Sequence, residues 1–305
     1  MKIIRTVCGD IPIERLGLCL PHEHLLGHPP DPREDRDFWL DSEAAASREL
    51  SLFAQAGGSW LVEMSPREYG RNPLGLERLA RATGVAIVCV TGNHKQKFAA
   101  SVVADQSVEQ LAELYIQEVN HGIDASAVRA GVIKAGSSLN MITPLEERIF
   151  RAAALAQQAT GAAISTHTEA GTMALEQIAL LRTAGVPAER IVIGHLDRCL
   201  DWGYLAEVAS TGVFMGFDQI AKEKYAPDHA RIAMIERLIV AGHTAQILLA
   251  GDQARRSAWP SYGGGPGLSY IPWRFVPWLR EAGIDQQTIT QLTVHNPAQA
   301  FGMLG

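Results

Sequence analysis

Eight short apolar runs, each followed by a longer amphipathic stretch, predict an α/β fold of parallel strands, closed as a single (β/α)8 TIM barrel. The runs are rich in Val, Ile and Leu, the composition of strands covered on both faces. An open doubly wound sheet fits the same alternation. Such a sheet would normally carry G-x-G-x-x-G after its first strand, where this chain has Pro21-His22-Glu23-His24.

The strands are expected at Leu16–Leu20, Ser59–Met64, Val85–Val90, Ala130–Lys134, Ala162–Thr166, Arg190–Gly194, Gly212–Phe217 and Gln246–Ala250. Between them, Asp41–Ala56 reads as a helix with an acidic start, and Ser107–Asn120 repeats Leu, Tyr and Val at helical spacing. Thr143, Pro144 and Glu146 form an N-cap followed by proline at the first helical position, opening a helix that runs to Thr160. Thr172–Ala184 and Asp228–Val240 follow the same logic. Glycines at 57, 58, 84, 161, 185 and 242 supply the turns after helices. No linker, repeat or low-complexity segment interrupts the chain, so residues 1–305 are expected to form one domain. The glycine-rich Tyr262–Gly267 follows the last strand, as a mobile active-site loop or a turn-rich connection.

Composition narrows the function. With 47% hydrophobic and 20% charged residues the chain is not disordered, and no apolar run is long enough for a membrane span. Lys plus Arg number 27 against 33 acids, which disfavours a dominant nucleic-acid-binding surface. Cys8, Cys19, Cys89 and Cys199 are too scattered for a zinc ribbon or a disulfide framework and read as reduced thiols. The N-terminus lacks a signal-peptide pattern, so a cytoplasmic location is the default expectation.

Metal-competent residues fall at the C-terminal ends of the expected strands: His22 and His24 on the first, Lys134 on the fourth, His167 on the fifth, His195 on the sixth and Asp252 on the eighth. In a barrel these ends converge on one mouth. Residues i and i+2 of a strand share a side, so His22 and His24 can face the pocket together. Imidazole suits zinc, and two closely spaced cations need a bridging anion. A free ammonium in the apolar AGVIKAG is costly. A Lys134 amine carrying a CO2-derived carboxylate becomes the bridging anion. Asp252 can bind one metal and hold the proton released from a bridging water. His28, His94, His121, His229 and His243 lie in loops or helices and carry no assigned role, His94 standing apart because it follows the third strand, and His295 is placed against the C-terminal helix.

This order of residues resembles the phosphotriesterase family of the amidohydrolase superfamily, from GDIPIERLGLCLPHEHLL to VHNPAQAF. It is most similar to the branch that hydrolyses phosphorylated sugar lactones, in NMITPLEERIFRAAALA, STHTEAGTMALEQI, IGHLDR, FDQIAKEKYAP, GDQAR and YGGGPGLSYI. The resemblance implies a barrel with two divalent ions, usually zinc. It places His22, His24 and Asp252 on the more buried ion, His167 and His195 on the more exposed one, and N6-carboxylated Lys134 between them with a hydroxide. It also implies a small-molecule lactone substrate, its phosphate gripped by Lys222 and Arg255, and a possible homodimer. The chain departs from the branch at Ala258, where a tyrosine is usual, with Tyr225, Arg256 and Tyr262 near enough to compensate. It also carries Glu63 where relatives have aspartate. Read without the resemblance, Lys222 and Arg255 are equally solvated charges. The expected reaction is ring opening of a phosphorylated aldonolactone by the bridging hydroxide, with Asp252 passing a proton to the leaving alkoxide. Asp197 is either an outward proton relay or an ion-pair partner of Arg198. The alternatives are an acyl-homoserine lactonase, an organophosphate triesterase of the same chemistry, or a non-catalytic metal-binding barrel.

Overall fold

The computed structural model describes residues 1–305. Eight parallel strands stand in sequence order around the barrel: β3 (Leu18–Glu23), β4 (Gly58–Glu63), β5 (Ala86–Gly92), β6 (Val132–Gly136), β7 (Ala163–His167), β8 (Ile191–Ile193), β9 (Phe214–Phe217) and β10 (Ile247–Leu249). They match the expected strands within a few residues. Ahead of them β1 (Lys2–Thr6) and β2 (Gly9–Pro12) form an antiparallel hairpin, and β11 (Met303–Leu304) pairs with β1. This small sheet was not anticipated. Ile4 from β1 packs into the interior cluster of the barrel.

The strands show why short apolar runs suffice. Cys19, Trp60, Val62, Val88, Val90, Val132, Ala163, Val192 and Leu248 fill the interior. Their chain neighbours Leu20, Leu61, Ile87, Cys89, Ile133, Ile164, Ile193 and Leu249 pack outward in the cluster shared with the helices. Both faces are buried, so both parities are apolar.

The helices are α1 (Glu43–Gln55), α2 (Pro73–Thr83), α3 (Gln96–Val103), α4 (Val108–Asn120), α5 (Pro144–Thr160), α6 (Ala174–Thr183), α7 (Trp202–Ser210) and α8 (Asp228–Val240), followed by short helical turns over 271–301. Local chemistry sets their ends. Thr143 and Glu146 form a reciprocal capping box at the start of α5, and Gly161 ends it at φ 75°. Ser107 and Gln110 do the same for α4. No helix is long and apolar enough to cross a membrane.

The seam between β10 and β3 is not a regular ladder. Asp252 N donates to His22 O at 3.2 Å, and the buried Glu23 carboxylate accepts from Gly251 N and Gln253 N, both at 2.8 Å. Burial pushes the Glu23 carboxyl up to about 8, against the pull of those two N–H groups. One acidic side chain thus fastens the last strand to the first beneath the mouth.

Candidate metal centre

Three of the six expected ligands follow the inward parity of their strands. Val132 leads to Lys134, Ala163 to His167, and Leu248 to Asp252 just beyond β10. The other three need a departure from regular strand geometry. The β3–β4 pairing is irregular between Leu20 and Glu23, and this bulge brings both His22 and His24 to the pocket. His195 lies just past β8 with φ 61°, a left-handed value that is costly outside glycine and concentrates at functional sites; Asp252 keeps the parity of β10 but shares that conformation, at φ 46°. Gly92 is fixed by the same crowding. A Cβ there would lie 2.0 Å from the Lys134 carbonyl oxygen, so only glycine lets β5 pass this close to the lysine.

The structure brings His22, His24, Lys134, His167, His195 and Asp252 to the wall of one 150 Å3 cavity. Asp252 Oδ1 is 3.2 Å from His24 Nε2 and 3.8 Å from His22 Nε2. Ring centroids of His22 and His195 are 4.8 Å apart, and those of His195 and His167 are 4.7 Å apart. Lys134 is 1% exposed, and its Nζ donates to the Met64 carbonyl at 2.7 Å.

The imidazoles are held from behind. Asp218 accepts from His195 Nδ1 at 2.6 Å and lies 3.2 Å from His22 Nδ1. Ser65 Oγ is 2.8 Å from His24 Nδ1. With Nδ1 engaged, the Nε2 lone pairs of His22 and His24 are directed toward Asp252. Burial pushes the His24 imidazole down to about 4 and lowers His22 and His167 as well, so these rings are neutral at neutral pH. Asp218 is itself buried, yet the two imidazoles hold its carboxyl below the usual range. The buried His22 Nε2 has no hydrogen-bond partner. An orphaned, neutral, buried imidazole nitrogen beside a carboxylate suits a divalent cation, and so does the convergence of the His22, His24 and Asp252 donor atoms within 4.8 Å.

Sequence reasoning missed two residues here. Asp218 stands in the quoted FDQ stretch, but nothing local marks it as the acid behind two histidines. His94 was left without a role, yet it lines the cavity, with its ring centroid 4.4 Å from that of His167. Its position after the third barrel strand, which sets it apart in the sequence, was the signal, but no role was assigned from it. Asp197 corrects both readings offered for it. It turns inward to Arg231, at 2.7 Å with both side chains fully buried, and it pairs with neither solvent nor Arg198. Glu63, also fully buried, accepts from Leu25 N and Ser65 N, and so supports the residue that orients His24.

A larger cleft of 420 Å3 adjoins the cavity and shares His167, His195 and Asp252 with it. Lys222 and Arg255 line it. Lys222 Nζ donates to Asp252 Oδ2 at 2.6 Å and to Gln219 Oε1 at 3.0 Å. Arg255 stacks 3.7 Å over Phe38 and pairs with Asp37 at 3.3 Å. Ala258 and Tyr225 also line the cleft, as do Gly265 and Pro266 of the glycine-rich stretch. Arg256 and Tyr262 are spent elsewhere. Arg256 binds Asp41 and the Trp39 carbonyl, and Tyr262 Oη accepts from Ser42 N at the start of α1.

A model of the phosphotriesterase family matches residues 2–301. The chain belongs to the phosphotriesterase family. It is 33% identical to the phospho-furanose lactonase of Mycoplasmopsis synoviae, over 98% of this chain and 92% of that protein. The crystal structure of a lactonase from Listeria monocytogenes superposes with a TM-score of 0.94 at 39% identity, covering 98% of both chains. The phosphotriesterase homology protein of Escherichia coli, solved with phosphate in its active site, gives 0.91 at 37% identity, covering 93% of this chain and 98% of that one. As a phosphotriesterase-family member the chain is a hydrolase acting on ester bonds, in a family whose centres are generally binuclear and metal-dependent.

Proposed function

We propose that the chain is a binuclear, metal-dependent lactonase that opens phosphorylated aldonolactones. The observation that carries this reading is the junction of two environments. A cavity walled by five histidines, a buried lysine and a carboxylate opens into a cleft lined by cations. His22, His24 and Asp252 would hold one ion, and His167 and His195 the other. Lys134 would join them as an N6-carboxylated side chain. Burial lowers its amine toward the neutral form that adds CO2, and only a carboxylated lysine offers two anionic oxygens in so apolar a strand. When bound, divalent ions, zinc being the best match to imidazole, supply Lewis acidity toward an ester carbonyl and hydroxide near neutral pH.

The chain's own groups do the rest. Asp252 receives the proton released as water is consumed and returns it to the ring oxygen as the ester bond breaks. Asp218 and Ser65 keep three imidazoles aligned throughout. Lys222 and Arg255 grip the remote phosphate and use that binding to orient the ring. The relative named as a phospho-furanose lactonase supports the same substrate class. The charged lining disfavours an acyl-chain pocket. The full set of titratable groups around the cavity disfavours a purely binding role.

Arg255→Ala tests the phosphate assignment. A lost charge-assisted hydrogen bond is worth about 1.5–3 kcal/mol. The kcat/KM for a phosphorylated lactone should therefore fall about 10- to 100-fold more than that for the unphosphorylated lactone of the same ring. Equal losses on the two substrates would remove the phosphate from the proposal.

A further inference from the structure

We propose that Arg198 is a third cation of the phosphate subsite, an inference that rests on reading the cleft as the site of a phosphorylated lactone. The loops after three successive barrel strands all deliver cations to this cleft: Arg198 follows β8, Lys222 and Lys224 follow β9, and Arg255 follows β10. Arg198 therefore reaches the cleft from the opposite side of Lys222 to Arg255.

Within the chain the arginine has only one loose ion pair. Its sequence neighbour Asp197 is turned into the core and bound by Arg231. The nearest carboxylate oxygen, Glu169 Oε1, is 3.8 Å from Arg198 Nη1, beyond hydrogen-bonding distance, and the other oxygen of Glu169 is taken by Lys95. Its guanidinium donates no hydrogen bond within the chain, although the side chain is only 23% exposed. It is held in place by stacking, 4.0 Å over the ring of Tyr225, which also lines the cleft. A stacked, immobilised guanidinium with free donors is a preorganised fork for an oxyanion.

The ligand chemistry follows from charge and shape. Arg198, Lys222, Lys224 and Arg255 line the cleft against only Glu223 and Asp252, in a chain whose net charge is −6. Asp252 faces the metal cavity on its other side. The excess of positive charge suits a dianion. A phosphate monoester presents three terminal oxygens, one for each of the three strand-end cations, and a carboxylate presents two.

The test is calorimetric titration of the metal-loaded protein with ribose 5-phosphate, which carries the phosphate but has no lactone to open. Arg198→Gln should weaken binding about 10- to 100-fold, the range of a lost charge-assisted hydrogen bond, and should flatten the dependence of affinity on salt. Arg198→Lys should restore part of the loss, as a point charge without the fork. If Arg255→Gln weakens binding and Arg198→Gln stays within about twofold of the parent, Arg198 is excluded and the phosphate reading stands. If Arg198→Gln weakens binding with an unchanged salt dependence and no recovery in Arg198→Lys, the residue only braces the Tyr225 loop and the proposal is overturned. If the parent does not bind the sugar phosphate, or neither variant alters its affinity, the phosphate reading and the proposal fall together.

Discussion

Asp252→Asn should lower kcat for lactone hydrolysis about 100- to 10,000-fold, the range for removal of a positioned acid–base group. The asparagine has the same shape and keeps one oxygen, so the cavity wall is preserved. It cannot take up a proton. In the structure the two carboxylate oxygens have divided duties: Oδ1 faces His22 and His24, and Oδ2 accepts from Gln219 Nε2 and Lys222 Nζ. An amide must turn its NH2 toward one of these sets: facing Gln219 and Lys222 it meets two donors, and facing His22 and His24 it donates to the imidazole nitrogens proposed to hold the ion. Although burial opposes ionisation, the ammonium of Lys222 and the imidazoles around it hold the Asp252 carboxyl well below its usual range. The group therefore begins the cycle as an anion. An indicator assay of acid release, run beside metal analysis of the same preparation, measures the effect. A kcat within about tenfold of the parent at equal metal content would remove Asp252 from proton transfer.

Arg231→Met should destabilise the protein by about 3–5 kcal/mol, the usual cost of leaving buried charge uncompensated. Arg231 is fully buried. It donates to Asp197 at 2.7 Å, to Asp228 at 2.9 Å and to the Ala226 carbonyl. Without it two buried carboxylates lose their cation, and burial already pushes Asp197 up to about 6. The damage should reach the site. Asp197 accepts from the backbone N–H groups of Asp218 and Gln219, and Asp218 aligns His22 and His195. Asp228 accepts from Ala221 N and Tyr270 Oη, which secures the loop that carries Lys222. Urea denaturation of the metal-free protein isolates the structural term, and a change under about 1 kcal/mol would show that the buried pair carries little of the stability.

The barrel was legible because burial on both faces leaves a simple trace, short Val-, Ile- and Leu-rich runs ended by polar residues. Lys134, His167 and Asp252 were legible for the same reason, since each sits an even number of residues, two or four, beyond an interior side chain of its strand. His22 and His24 were legible as a pair, but not the bulge in β3 that brings them to the pocket. The N-terminal hairpin was not legible, because its strand partner Met303–Leu304 lies at the far end of the chain. Asp218 and the inward turn of Asp197 depend on how the ends of β8 and β9 cross, which no local pattern encodes. In sequence Arg198 sits beside Asp197 as an apparent ion pair, but the acid belongs to Arg231 in the fold and the arginine lines the cleft.

Six side chains are proposed to hold a pair of cations joined through Lys134. Anomalous diffraction from crystals of zinc-loaded protein, collected on either side of the zinc absorption edge, tests this arrangement most directly. Two anomalous peaks are expected, one beside His22, His24 and Asp252 and one beside His167 and His195, with carboxylate density on the Lys134 nitrogen between them. A bare Lys134 amine bonded to the Met64 carbonyl, with one peak or none in the cavity, would contradict it.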